Sequence, residues 1–262
     1  MPNLARAGGL FLAGALLTAA VAAGGEVKEF RKTLPLDRDG VLTVDTYKGS
    51  ITVLATDAAE ASIEARIEPD GDDADQAKKV QATEITVRGG GGSVSVETDY
   101  SRVRRGGFLG LFSEGTLPLV RYTIRMPSTA RLQIDDYKSS IRIAGRKAAV
   151  KIDTYKGTVD IADQDGGVEI DTYKGDVSVA YARFAKPASF ETYKGEVRLR
   201  LPAASGFELD ADTGRRGDLE TDFELAGARA SDDGDRFQGA VGGGGPRLTF
   251  RTTKGSLSLK RG

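Results

Sequence analysis

The sequence predicts an all-β fold, a single-domain β-solenoid of short coils, and two observations predict it. The first is a recurring word. Asp-Thr-Tyr-Lys-Gly stands at Asp45–Gly49, Asp153–Gly157 and Asp171–Gly175; near copies stand at Asp135–Ser139, Glu191–Gly195 and Arg251–Gly255, with a longer one at Asp212–Gly217. Its closing residue, at Ser139, Gly157, Gly175, Gly195 and Gly217, advances by 18, 18, 20 and 22 positions. A short period of this kind marks units that bury their apolar faces only by stacking. The second observation is the alternation around the word. Val150, Ile152 and Thr154 share one face of an extended strand, while Lys151, Asp153 and Tyr155 take the other. After Gly157, Val159 and Ile161 point in, and Thr158 and Asp160 point out. The unit is therefore strand, tight corner, strand, with glycine at the corner for a positive φ or the close passage of the next coil.

The same inward slots read Leu42, Val44, Thr46, Ile51, Val53 in the first coil and Leu132, Ile134, Asp136, Ile141, Ile143 in the second. Val168, Ile170, Thr172, Val177, Val179 follow, then Ala188, Phe190, Thr192, Val197, Leu199, and finally Leu248, Phe250, Thr252, Leu257, Leu259. Coils about 4.8 Å apart would stack equivalent side chains into columns. Asp45, Asp135, Asp153, Asp171, Glu191 and Asp212 form an acid column. Tyr47, Tyr137, Tyr155, Tyr173 and Tyr193 form an aromatic one. Lys48, Lys138, Lys156, Lys174, Lys194, Arg216 and Lys254 form a cation column. A cation column one corner away would offset the self-repulsion of the acids. Two readings fit these columns. They are a ladder that sets register, or the tyrosines and the five lysines from Lys48 to Lys194 are a candidate binding face suited to an extended anionic polymer.

In chain order, residues 1–22 read as an export signal. Arg6 precedes the apolar run Gly8–Ala19, and Ala20-Val21-Ala22 offers a small-x-small cleavage site. The solenoid is expected over 26–262, with no integral membrane span once the signal is removed. Coil repeats are expected at 40–55, 129–201, 207–222 and 247–260. Between the first two lies an insertion, 56–128, with one short helix and a hairpin. The helix is expected over Asp72–Thr83, acidic at its start and with Lys78 and Lys79 near its end. Glu84–Arg88 and Ser93–Glu97 alternate around four glycines, which predicts the hairpin. Ser101–Thr116, with Phe108-Leu-Gly-Leu-Phe112 after three arginines, reads either as a loop folded over an open solenoid end or as a tip touching a membrane or partner.

Composition limits the chemistry. The chain has no cysteine and no histidine, so disulfides, thiolate chemistry, and the commonest zinc ligand and general base are absent. A formal net charge of −1 gives no general pull toward nucleic acid. No metal site and no cofactor are expected; the glycine-and-aspartate nonapeptide of calcium-binding solenoids is missing.

Coils of the form apolar-x-apolar-x-Thr-x-x-Gly-x-apolar-x-apolar follow the export signal. Met126-Pro127 precedes the third strand block, and Gly242–Gly245 precedes the final Thr-x-Lys-Gly coil. This pattern resembles the bacterial putative-adhesin domain family of unknown function, a group of exported β-solenoid proteins, over residues 30–260. The resemblance implies periplasmic or secreted residence and no catalytic residues. The expected function is a non-catalytic, adhesin-like binding or scaffold protein of the cell envelope, with an envelope polysaccharide or a surface protein as partner. The alternative is a β-helix polysaccharide lyase or hydrolase using carboxylates such as Asp153, Asp171 and Glu191. Against it, these acids recur in coil after coil, whereas a catalytic site breaks regularity.

Overall fold

Alternation of apolar and polar residues on both sides of each corner yields two parallel ladders facing each other across one core. A computed structural model describes residues 27–72, 74–108, 116–230 and 235–262. The expected export signal lies outside the described residues. So do residues 109–115 at the tip of the Ser101–Thr116 stretch. Among the described residues no helix is long and apolar enough to cross a membrane.

The strands are β1 (Lys28–Thr56), β2 (Glu60–Glu68), β3 (Glu84–Asp99), β4 (Leu119–Pro127), β5 (Arg131–Ala144) and β6 (Val150–Gln164). They continue as β7 (Val168–Lys174), β8 (Val177–Tyr181), β9 (Ala188–Lys194), β10 (Glu196–Leu201), β11 (Phe207–Asp212) and β12 (Leu219–Thr221). The chain closes with β13 (Ala226–Ala230), β14 (Arg236–Val241), β15 (Arg247–Thr252) and β16 (Ser256–Arg261). Helix α1 is Gln76–Ala82, α2 is Ser101–Phe108, and a 3₁₀ turn covers Gly214–Arg216.

Coils stack in parallel register. Ile134 pairs with Ile152, Ile152 with Ile170, and Ile170 with Phe190; across the corner Ile143 pairs with Ile161 and Val159 with Val177. The slots assigned inward from the sequence are buried: Val150, Ile152, Val159, Ile161, Val168, Ile170, Val177 and Val179 are all 3 % exposed or less. The corner glycine is required on two counts. Gly157 has φ +146°, and a Cβ there would lie 2.0 Å from the Ser139 carbonyl oxygen. Gly175 repeats this one coil on, 1.9 Å from the Gly157 oxygen. At the serine corner the buried Asp136 compensates: its carboxylate accepts from the Ser139 amide (2.7 Å), the Ser139 hydroxyl (2.6 Å) and the Thr154 hydroxyl (3.0 Å). Burial raises the Asp136 carboxyl above the usual range, while these donors pull it back.

At the first end, β3 runs parallel to the start of the first coil (Leu42 with Val94) and β4 parallel to its second half (Ile51 with Tyr122). The insertion therefore supplies one more layer. β2 pairs antiparallel with both β1 and β4. The stretch around the four glycines falls within β3, which turns at Gly89, Gly90 and Gly91, all at positive φ. Two expectations change. α1 is shorter than expected, Gln76–Ala82. A second helix, α2, stands where a loop was expected. The Asp99 carboxylate caps it by accepting from the Ser101 amide (2.7 Å), and Tyr100 and Val103 are buried.

The larger correction concerns the order of the coils. Chain order would place the coil of β15 and β16 at the free end. Instead β15 lies between β9 and β11, and β16 between β10 and β12. β14 then pairs antiparallel with β11, and β13 with β14, covering the far end. Edge-to-face rings run from Tyr181 through Phe184 and Phe207 to Phe223 beneath this cover. Arg146 is a core residue that the strand alternation does not reveal. It is fully buried and donates to the backbone carbonyls of Pro127 (2.6 Å) and Ala130, and burial lowers its pKa to about 10.

Candidate functional site

In the five tyrosine-bearing coils the acid and the tyrosine lie two residues apart on a strand that buries the residue between them, a threonine or Asp136, so both project outward. Parallel register then brings like onto like. Tyr47, Tyr137, Tyr155, Tyr173 and Tyr193 form a continuous stack with centroid separations of 4.6, 5.0, 4.9 and 4.8 Å. The planes of successive rings are within 10° of parallel. The spacing is that of the strands, so the backbone ladder sets it. Each inner ring is covered on both faces by its neighbours. What the stack offers solvent is ring edges and hydroxyls.

Lys48, Lys138, Lys156, Lys174 and Lys194 stand in register, coil on coil, as the expected cation column. Lys156 Nζ lies 5.2 Å from the Tyr155 centroid, and Lys174 Nζ 5.1 Å from that of Tyr173. Lys48 pairs with Asp70 of the insertion. Among the described residues, no ion pair joins the acid column to Lys138, Lys156, Lys174 or Lys194. A lysine stem is long enough to fold back beside its own ring, where the charge keeps its hydration. The acid column is also broken: Arg251 stands in register between Glu191 and Asp212, because the final coil is inserted there.

The column is only partly offset: Asp212 lies 3.8 Å from Arg236, and the Lys151 charge acts on Asp171. The Asp171 carboxyl is pushed above its usual range, first by burial and then by the Glu191 and Asp153 charges. Asp45 is pushed up likewise, by burial and then by Asp135 and Glu97. Between the acid and tyrosine columns runs a groove of about 720 Å³ that spans the coils from Asp45 to Arg251. Its lining holds seven carboxylates and one cation, Arg251, so the groove is acidic.

Two contributors were not legible as site residues. Arg104 of α2 lies 5.6 Å from the Tyr47 centroid, and Tyr100 meets the same ring edge-on at 6.2 Å. At the other end Lys254, expected in the cation column, has its Nζ 5.2 Å from the Tyr193 centroid. Among the described residues no group of three or more acids is arranged to hold a metal ion.

Stacked two-strand coils with a glycine corner, an outward acid and tyrosine ladder and an inserted final coil define a β-solenoid repeat protein. The chain belongs to the Toastrack DUF4097 family, whose model matches residues 25–259, so the resemblance read from the coils holds. A solved structure described as a "putative cell adhesion protein" from Clostridium sporogenes ATCC 15579 covers 90 % of this chain and 100 % of its own, at 9 % identity and TM-score 0.50. A "putative adhesin" from Bacteroides fragilis NCTC 9343 covers 89 % of this chain and 97 % of its own, at 11 % identity and TM-score 0.38. At such identity the Clostridium likeness is one of fold. No curated protein matches the chain.

Proposed function

We propose that the chain is an exported, non-catalytic β-solenoid that binds or scaffolds a component of the bacterial cell envelope in the manner of an adhesin. Its contact surface is the face built by Tyr47, Tyr137, Tyr155, Tyr173 and Tyr193 with the adjoining acids and lysines. The observation that carries this reading is the groove itself: a carboxylate and a phenol per coil, repeated without a break from Asp45 to Tyr193, with no ion pair from Lys138, Lys156, Lys174 or Lys194 among the described residues. An extended envelope polysaccharide or surface-protein segment laid along it would meet the same pair of groups at each coil. The charge of the groove favours one carrying amino or guanidinium groups. The family membership and the adhesion-related description of the Clostridium structure support the same reading.

The test is retention of envelope fractions and a glycan panel on immobilised protein, parent against an Asp153→Asn/Asp171→Asn double variant. The parent should retain a ligand that is released as salt rises, since exposed charges are screened over roughly 8 Å at physiological ionic strength. The folded double variant should lose it. A parent that retains nothing, or that shortens a polysaccharide, would sink the proposal; the second outcome would favour the lyase or hydrolase alternative.

A further inference from the structure

The final coil is the bridge between two parts of the molecule. Among the described residues, the body that ends at Leu201 and the end unit Phe207–Val241 share no strand ladder; both pair with residues 247–261. Taking that coil away would leave a slot roughly two strand spacings wide, about 9.6 Å. Ala188, Phe190, Val197 and Leu199 form one buried wall, and Leu209 and Ala211 lie in the other. Leu248, Phe250, Leu257 and Leu259 fill it and are at most 1 % exposed.

Charge fits the insert to the slot. Residues 247–261 carry Arg247, Arg251, Lys254, Lys260 and Arg261 and no acid. The end unit supplies the acids. Arg247 stands 3.8 Å from Glu208, Arg251 3.9 Å from Asp210, and Lys260 2.5 Å from Glu220 and 3.6 Å from Asp222. Lys254 and Arg261 sit over the Tyr193 and Phe223 rings. A basic strand pair thus enters an acidic acceptor, which adds long-range steering to the apolar fit.

The linker to the insert is four glycines, of which Gly242 and Gly245 pack against the Ser205–Gly206 backbone while Gly243 stands open. Gly242–Gly245 have φ of +56, +84, +89 and +153°. A Cβ on Gly243 would meet nothing within 4 Å, in contrast to the corner glycines, which are crowded by the neighbouring backbone. In a solenoid each coil is stabilised by its nearest neighbours. A coil placed out of chain order must therefore seat between two parts that do not otherwise pair. The contacts it makes are the same whichever copy of the chain supplies it, which is the condition for exchange between identical chains.

We propose that residues 247–261 are an exchangeable insert, and that their slot accepts the same coil from a second copy of this chain, linking two copies by mutual exchange. This stands independently of the groove. The test uses the full chain with a protease site in place of Gly243–Gly244, folded intact and then cut. A labelled peptide covering Pro246–Gly262 should replace the resident segment in the cut protein and not in the uncut parent. Uptake should fall as salt rises. A Phe250→Asp peptide should be taken up at least about tenfold less well, since it would bury an unpaired charge. In the full chain, deleting Gly243 and Gly244 should convert a monomer into a dimer by light scattering, because the shortened linker no longer reaches its own slot. The proposal is overturned if the cut chain unfolds or takes up no peptide below its melting temperature. Equal uptake of the Phe250→Asp peptide, or a folded monomer after the deletion, overturns it as well.

Discussion

Lys254 closes the tyrosine stack by placing its Nζ 5.2 Å from the Tyr193 centroid, and it comes from the inserted coil, not from the coil that follows Tyr193 in the chain. Arg104 does the same at the opposite end, over Tyr47. Five stacked rings have two free faces, and each is met by a cation brought by another element. Lys254 also holds the Tyr193 phenol below its ordinary range, through a hydrogen bond and its charge. Replacing Lys254 with Gln should therefore move the Tyr193 ionisation back up. Ultraviolet titration of the parent against Lys254→Gln checks this; superimposable phenolate curves would place the lysine elsewhere.

The assignment of faces gives a sharper contrast. Ile152 is 1 % exposed and Thr158 lies outside the core. Ile152→Asp should unfold the protein or cost more than about 4 kcal/mol, since an unpaired charge in the core has nothing to offset its desolvation. Thr158→Asp should change stability by less than about 0.5 kcal/mol. Chemical denaturation of the two variants measures both, and equal midpoints would reverse the assigned faces.

The corner can be probed at Gly157. Alanine there would need φ near +146° and would press its Cβ to 2.0 Å from the Ser139 oxygen. The expected loss is about 2 kcal/mol or more, from backbone strain and displacement of the neighbouring coil. Gly243→Ala, where the space is open, should cost less. A Gly157→Ala protein as stable as the parent would mean that the stack tolerates a wider corner.

The inward and outward slots were readable because a strand has period two and the word repeats. Even Asp136 was placed correctly in the threonine slot. The tyrosine stack followed, since parallel register leaves equivalent rings no other arrangement. The position of the final coil did not follow. Leu248 to Leu259 fill the same slots as any other coil, and nothing local says which coils flank them. The lysine column was readable from the register, but not that Lys156 and Lys174, on flexible stems, fold back beside the Tyr155 and Tyr173 rings. α2 was hidden by Gly106-Gly107, which lower helix propensity, although Asp99 ahead of Ser101 was a capping signal. Arg146 sits in the connection between β5 and β6 beside the charged Lys147, and nothing in that pattern marks it for burial.

The acid ladder makes the last prediction. Asp171 has its folded pKa raised above 3.8, by burial and by the Glu191 and Asp153 charges. The folded protein therefore binds this proton more tightly than the unfolded chain does. At pH above the raised value the carboxylate is a penalty on the folded state. As pH falls through that value toward 3.8 the penalty is relieved, so this group favours the fold in mild acid. Asp171→Asn removes the charge at every pH. Relative to the parent it should be more stable at pH 7, by a few tenths to about 1 kcal/mol for a largely exposed group. That advantage should vanish near pH 3.8. The measurement is the difference in denaturation midpoint between variant and parent across pH 3 to 7, which cancels the pH response of the rest of the chain. A cation seated in the groove relieves the same repulsion, so added salt should shrink the gap at pH 7. If the variant is instead less stable than the parent at pH 7, the acids are held by partners, and the groove is not the uncompensated negative surface on which the binding proposal rests.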